Sequence, residues 1–394
     1  MVFQAYCIRG ARGCIITTVF IRYRRDGNGN PVPHAYVYTE KEHGIDRSKI
    51  DPDAARIIER LKSAGQQAYI VGGAVRDLLK GKLPKDFDLV TDALPARIRK
   101  LFRNARIIGK RFKLVHIYSG DKIFELSTFR SNRNGSIGNE FGTMDEDVLR
   151  RDFTINALYY DPTDGNLVDF VGGYKDILAG KLKPIIPLSR IFAEDPVRIV
   201  RGVKYATAGN FKFSLALRMA IRRDAKLLAD VSHSRLTEEF FKILASGRSE
   251  SIVKALCDFR LFGYFVPAAW ARMQSDLSYS RALFEDLKTL DVLRLEVSDA
   301  EISDSDEEAA SQGKRKISVL LSHFLKSVFD PSVLGAEYSD ETYRNALAEA
   351  RVFMQPLNPP RVELEAAILM IFRSLEISPL QKPPKSRRRR RPAP

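Results

Sequence analysis

Two short stretches hold residues whose types and spacing could do chemistry: Val71-Gly72-Gly73-Ala74-Val75-Arg76-Asp77 and, a few residues on, Asp86-Phe87-Asp88. Consecutive glycines let the backbone approach a ligand closely, and the amides of such a turn point outward together. That makes an anion site suited to a triphosphate. No Gly-Lys-Ser/Thr follows, so it is not a P-loop, and the full dinucleotide fingerprint is missing. In a strand, residues i and i+2 share a face, so Asp86 and Asp88 point one way while Phe87 and Leu89 point into the core. Two carboxylates this close repel each other unless a cation lies between them. Hard oxygen ligands beside a phosphate cradle suit Mg²⁺ in a phosphoryl-transfer site. An isolated Asp-x-Asp is more often a solvated edge strand. This one follows a glycine turn and sits inside an otherwise apolar strand, which favours chemistry.

The elements that must position these residues follow from periodicity. Ala54, Ile57, Ile58 and Leu61 share a helical face up to Gly65, and residues 68–71 form a short buried strand. Residues 74–80 form a helix closed by Gly81, and 86–90 form the next strand. A helix ending near Phe102 precedes strand-like runs at 105–108, 112–118 and 122–129. Glu125, inside the last run, is either an exposed-face residue or a third carboxylate beside a metal. Residues 131–139 read as a loop, and 145–160 as one long helical pattern containing Arg150, Arg151 and Asp152. On a helix Arg151 and Asp152 lie about 100° apart. Such a pair suits phosphate and ribose-hydroxyl recognition, or else a surface ion-pair helix. Gly172-Gly173 reads as a hinge. Asp195 and Arg198 open a further helix, with Arg201 one turn on from Arg198. They can read the Watson–Crick edge of a base, or simply cap and charge the first turn. From about residue 246 the pattern is helical throughout. Residues 1–45 show no sustained period and are expected to form a loosely attached arm, the first twenty or so being an upstream start little used.

Composition narrows the partners. Hydrophobic residues make up 44% and charged residues 29%, as in ordinary globular protein, and 394 residues suffice for two or three cores. The formal net charge of +15 favours a polyanion. Lys382, Lys385 and the run Arg387, Arg388, Arg389, Arg390 and Arg391 carry seven of those charges, so +8 remains on the rest. Cys7, Cys14 and Cys257 form neither a metal-ligand spacing nor a disulfide framework, which suits a reducing cytoplasm. No apolar run approaches membrane-spanning length, so no membrane partner is expected. Residues 296–308 hold seven acidic residues among serines and read as a disordered insert that repels RNA. The arginine-rich end reads as a disordered phosphate-binding tail.

Gly72-Gly73-Ala74-Val75-Arg76-Asp77 with Asp86-Phe87-Asp88 resembles the signature of class II polymerase-beta-like nucleotidyltransferases, the bacterial poly(A) polymerases and tRNA CCA-adding enzymes. Arg150-Arg151-Asp152 is similar to that family's ribose motif, and Glu194-Asp195-x-x-Arg198 to its base-recognition motif. Gly109-Lys110-Arg111-Phe112 resembles the poly(A) polymerase branch, where CCA-adding relatives usually carry a Gly-Thr-rich strand. The resemblance implies an α+β fold: an N-terminal nucleotidyltransferase head, with a mixed or antiparallel sheet flanked by helices, then an all-α neck and body. It places the head at 46–170, a neck at 171–245, an RNA-binding body at 246–375 with the acidic insert at 296–313, and the tail at 376–394. It implies transfer of AMP from ATP to an RNA 3′-hydroxyl, with two Mg²⁺ ions as cofactors. Asp86, Asp88 and Asp152 are then catalytic, and Asp86, Asp88 and Glu125 face the metal. Gly72, Gly73 and Arg76 hold the triphosphate, Arg151 and Asp152 the ribose and phosphate, and Asp195 and Arg198 the base. Lys110, Arg111 and Arg387 to Arg391 bind RNA. Expected partners are RNA 3′ ends (messenger, regulatory or transfer RNA), ATP and RNA-decay machinery. A CCA-adding enzyme and a non-catalytic RNA-binding adaptor remain the alternatives.

Overall fold

The computed structural model describes residues 2–10, 13–25, 31–109, 114–131, 140–297 and 317–380, with side chains from residue 34 on except 294–297 and 331. The chain divides into two compact units, Met1–Val231 and Ser232–Pro394.

The first unit is built outward from the glycine turn. Helix α1 (Pro52–Ser63) starts with Pro at its first position, and the Asp51 carboxylate accepts the Asp53 N–H at 2.8 Å. Its Ala54, Ile57, Ile58 and Leu61 are buried, with Ile58 and Leu61 fully so. Each such aliphatic side chain contributes about 1.5–3 kcal/mol. The chain then enters a ten-stranded sheet. Its members in chain order are β1 (Val2–Gly10), β2 (Gly13–Arg25), β3 (Pro31–Tyr38), β4 (Ala68–Val71), β5 (Asp88–Thr91), β6 (Ala105–Ile108), β7 (Leu114–Ser119), β8 (Lys122–Thr128), β9 (Leu158–Asp161) and β10 (Asn166–Asp169). Across the sheet they lie in the order β1-β2-β3-β10-β9-β4-β5-β8-β7-β6. Only β5 and β8 run parallel; the remaining pairs are antiparallel. Helix α2 (Gly73–Leu79) follows β4 directly, α3 (Pro95–Leu101) follows β5, and α4 (Met144–Arg150) packs Val148 into a core shared with Tyr69, Val90, Phe129 and Tyr159.

Three sequence expectations are corrected here. Residues 145–160 are not one helix: α4 stops at Arg150, Arg151 is extended at φ −68° and ψ 159°, a 3₁₀ turn spans Thr154–Asn156, and β9 follows. Phe153, Ile155 and Ala157 to Tyr160 are all buried, and a continuous apolar run does not distinguish a buried helix from a central strand. Residues 1–45 contain three strands, and β3 pairs with β10 through Tyr36↔Asp169 to Tyr38↔Leu167. That partner lies far along the chain, where local periodicity cannot show it. Gly172-Gly173 opens helix α5 (Gly173–Leu178), and a Cβ at Gly173 would lie 2.1 Å from the Thr154 carbonyl oxygen, so the glycine serves close packing. The rest of the unit is mostly helical, with α6 (Val197–Gly209), α7 (Leu215–Asp224) and a 3₁₀ stretch at Ala225–Asp230, plus a short parallel pair of Lys181–Leu182 with Lys212–Phe213.

Among its described residues the second unit is helical apart from a two-residue strand pair. Phe240 lies at its centre, with the Phe324 and Phe265 rings 4.9 Å and 6.2 Å away. Phe265 is fully buried. Among the described residues no helix is long and apolar enough to cross a membrane. Lys110, Arg111, the acidic insert from residue 298 and the arginine tail lie outside the described residues, so the readings made for them stay expectations.

Candidate active site

Strands β4 and β5 bring the two sequence stretches together. Val71 pairs with Asp88, so the Gly72 turn at the end of β4 lies against the start of β5. Gly72 has φ +70° and ψ −129°, a combination that disfavours any residue with a Cβ. A Cβ there would also stand 3.5 Å from Asp88 Oδ2. Burial alternates as the carboxylate reading requires: Asp86 and Asp88 are exposed, while Phe87 and Leu89 are buried. Asp86 itself precedes the strand.

These residues fit a magnesium ion. Mg²⁺ takes one or two carboxylates and completes its shell with water and substrate phosphate, and the glycine turn leaves open space beside Asp88 for a phosphate. Among the described residues no group of three or more His, Cys, Asp or Glu is close enough to hold a metal. Glu125 stands one strand from Asp88, because β5 and β8 pair Leu89 with Leu126. It is exposed, and its carboxylate lies 3.8 Å from His116 Nε2. Its third-ligand reading stays an expectation.

Arg76, one turn into α2, is held in a closed ring of contacts. Its Nη1 donates to Asn156 Oδ1 at 2.8 Å, and Asn156 Nδ2 donates to Asp152 Oδ1 at 3.1 Å. Asp152 Oδ2 lies 3.0 Å from Arg201 Nη2, and Arg201 donates to the Tyr205 hydroxyl. The Tyr205 ring in turn sits 5.4 Å under the Arg76 guanidinium. Asp152 is 4% exposed, so the expected catalytic carboxylate is an internal strut. Burial alone would raise its pKa; the Arg201 guanidinium, the Asn156 amide and the Phe153 N–H outweigh that and hold it below the ordinary aspartate value.

Arg151 is corrected too. Its Nε and Nη2 donate to Asp147 Oδ2 at 3.1 Å and 2.9 Å, its Nη1 donates to the Asn156 carbonyl, and Tyr159 donates its hydroxyl proton to the same Asp147 oxygen at 2.7 Å. The guanidinium ties α4 to β9 instead of facing a ligand. Asp195 and Arg198 are 7% and 4% exposed. Asp195 caps the turn by accepting the Val197 N–H, while Arg198 donates to the carbonyls of Ile191 and Arg150 and lies 3.6 Å from Glu194. Burial pulls the Arg198 pKa down, against the opposing Asp195 charge. The structure thus gathers Gly72, Gly73, Arg76 and Asp88 in one region and joins Asp152 to Arg76 through Asn156. Sequence reasoning missed Asn156 and Tyr205. The only signal for either was its placement near a motif: Asn156 four residues after Asp152, and Tyr205 four after Arg201.

Residues 68–183 match the poly A polymerase head domain, and residues 210–273 a probable RNA- and SrmB-binding site of polymerase A. Over 251 residues the chain is 40% identical to Poly(A) polymerase I of Escherichia coli O6:H1, covering 60% of this chain and 54% of that protein. It is 32% identical over 251 residues to the CCA-adding enzyme of Bacillus subtilis, covering 62% and 63%. The match thus spans about half the length of the first relative and just under two thirds of the second. The crystal structure of the Bacillus stearothermophilus CCA-adding enzyme in complex with CTP superposes with a TM-score of 0.53 at 23% identity, over 82% of this chain and 83% of that one. That likeness is one of fold.

Proposed function

We propose that this chain is a member of the tRNA nucleotidyltransferase/poly(A) polymerase family, as its head and RNA-binding segments suggest, and that it adds AMP from ATP to RNA 3′-hydroxyls and releases pyrophosphate. The observation that carries the reading is the juxtaposition of the Gly72 turn with Asp88, 3.5 Å from where a Cβ would stand. A phosphate cradle and a metal-competent carboxylate then act on the same phosphoryl group. The 40% identity to a poly(A) polymerase, against 32% to a CCA-adding enzyme, supports the adenylating branch.

In this mechanism the amides of the Gly72-Gly73 turn receive the triphosphate, and Arg76, oriented by Asn156, neutralises it. Asp86 and Asp88 hold the cations. Two bound Mg²⁺ ions supply a lowered pKa at the attacking 3′-hydroxyl and charge neutralisation on the leaving pyrophosphate. Asp195 and Arg198, beside the start of α6, read the base, and Asp152 keeps the ribose side of the site in register through Arg201. The helical second unit is the RNA-binding body, with Lys110, Arg111 and the arginine tail as additional phosphate contacts. Messenger, regulatory or transfer RNA ends in the cytoplasm are the substrates, and tailing marks them for decay machinery.

The test offers ATP and CTP separately to a tRNA lacking its terminal CCA and to an unrelated RNA. ATP-dependent tailing of both RNAs is expected, and Asp88→Ala should abolish it while RNA binding persists. Ordered addition of two C and one A to the tRNA alone would replace this reading with the CCA-adding one. RNA binding with no addition of any nucleotide would leave the adaptor.

A further inference from the structure

The far edge of the sheet carries a face that the mechanism above does not use. Strands β7 and β8 send Val115, Ile117, Phe124 and Leu126 into the core, where they are at most 4% exposed, and β6 pairs along the outer side of β7. Their other face is set by the same register. Arg106 pairs with His116 and His116 with Glu125, so these three stand in one row across three strands. Tyr118 and Ile123 form the next row, and Ile108 and Leu114 the one on the other side. Ile108 is 41% and Ile123 54% exposed. The Arg106 guanidinium lies 5.2 Å from the centre of the half-buried Tyr118 ring, with the His116 ring 6.4 Å from it.

This row points at the carboxylates. Strands β5 and β8 run parallel with Leu89 opposite Leu126, so one residue earlier Asp88 stands beside Glu125 on the outer face. Arg106, His116, Glu125 and Asp88 therefore form one line across four strands. At about 4.8 Å per strand it is about 14 Å long. Bases stacked at about 3.4 Å would fit three or four to that length.

We propose that the outer face of β6, β7 and β8 is a stacking platform for the last bases of a single-stranded RNA 3′ end, delivering its terminal hydroxyl to Asp86 and Asp88. The proposal rests on the nucleotidyltransferase reading and names where its second substrate lies. The chemistry fits: an aromatic ring with a guanidinium over it and flanking aliphatic side chains receives a base of any sequence, because every base has a π face. Such tolerance is what an enzyme extending its own homopolymer needs. Continuity with Asp88 selects RNA over a protein strand as the occupant.

The experiment uses the full-length protein and a single-stranded oligoadenylate carrying 2-aminopurine at the third base from its 3′ end, since Tyr118 on β7 lies two strands, about 10 Å, from Asp88. Wild type should quench the fluorophore on binding, since stacking quenches it. Tyr118→Ala should lose the quench and weaken binding about five-fold or more, the size of one lost base–aromatic stack. Tyr118→Phe should restore both, and blunt duplex RNA should bind all three proteins alike. Circular dichroism and ATP affinity report whether the head is folded; if Tyr118→Ala fails that check, the exposed Arg106→Ala carries the same comparison. Wild-type quench and affinity in the Ala variants, an equal loss on duplex RNA, or altered self-association with unchanged RNA affinity would each overturn the platform. No nucleotide addition is required for this readout. A wild type that adds no AMP yet shows Tyr118-dependent quenching would sink the proposed function and keep the platform, and normal tailing without that quenching would do the reverse.

Discussion

Asn156 joins Arg76 of α2 to Asp152, and through Asp152 to Arg201 of α6, since its amide accepts from Arg76 and donates to Asp152. Asn156→Ala removes both bonds at once, and each net hydrogen bond to a charged group contributes about 1.5–3 kcal/mol. The ATP KM should rise at least ten-fold while duplex RNA affinity stays at the wild-type value. An unchanged ATP KM in steady-state assays would show that Arg76 does not depend on this amide. Arg198 belongs to the same scale. If it reads the base with Asp195, Arg198→Ala should cost about 1–3 kcal/mol of preference for ATP over CTP, as for a lost charged hydrogen bond. Discrimination against 2′-deoxy-ATP should survive that change, because Asp152 keeps its Arg201 and Asn156 partners. Loss of both selectivities together would mean that Arg198 acts only by supporting the fold around Arg150 and Ile191.

Among the elements, the junction of α4 and β9 depends most on one cluster, Asp147, Arg151 and Tyr159. Asp147 is 6% exposed, so Arg151→Ala strands its carboxylate in a buried position. Breaking a buried pair from one side costs about 3–5 kcal/mol. Chemical denaturation should report that loss, with nucleotide preference unchanged in the surviving folded protein; a variant as stable as wild type would contradict the strut assignment. In the second unit, helix Leu277–Val297 carries Asp286, whose carboxyl burial pushes up to about 6, against the nearby Lys326 charge. Its folded pKa exceeds the unfolded value of about 3.9, so the folded state binds the proton more tightly. Stability from this group is full below about pH 4 and declines as pH rises to about 6. Asp286→Asn should flatten that part of the Tm-versus-pH curve, and an unaltered slope would refute it.

Over the whole molecule the net charge of +15 is the dominant fact, and the arginine-rich end carries seven of those charges. Removing residues 382–394 should weaken RNA binding and lower the slope of log affinity against log salt, since each neutralised phosphate contributes about 0.7 to that slope on single strands. Tailing at saturating RNA should persist, because the Gly72 turn, Arg76 and both aspartates lie within Met1–Val231. A salt slope equal to wild type after truncation would show that the tail does not touch RNA.

The chemistry of the first site was legible in the sequence wherever it was local. Gly72-Gly73 required a turn open to positive φ, and the Asp86-Phe87-Asp88 alternation set one face outward, because strand periodicity is a property of adjacent residues. The helical second half followed from patterning in the same way, and the α+β character from the family resemblance. The tertiary structure alone decided which polar residues face a ligand and which serve as internal struts. Arg151 and Asp152 sit side by side in a ligand-like motif, yet Asp147, Tyr159, Arg201 and Asn156 enclose them. It also decided that residues 158–161 are a central strand and that residues 31–38 join the sheet. In each case the deciding partner arrives from another strand or helix, and burial between two neighbours leaves no period in the sequence to announce it.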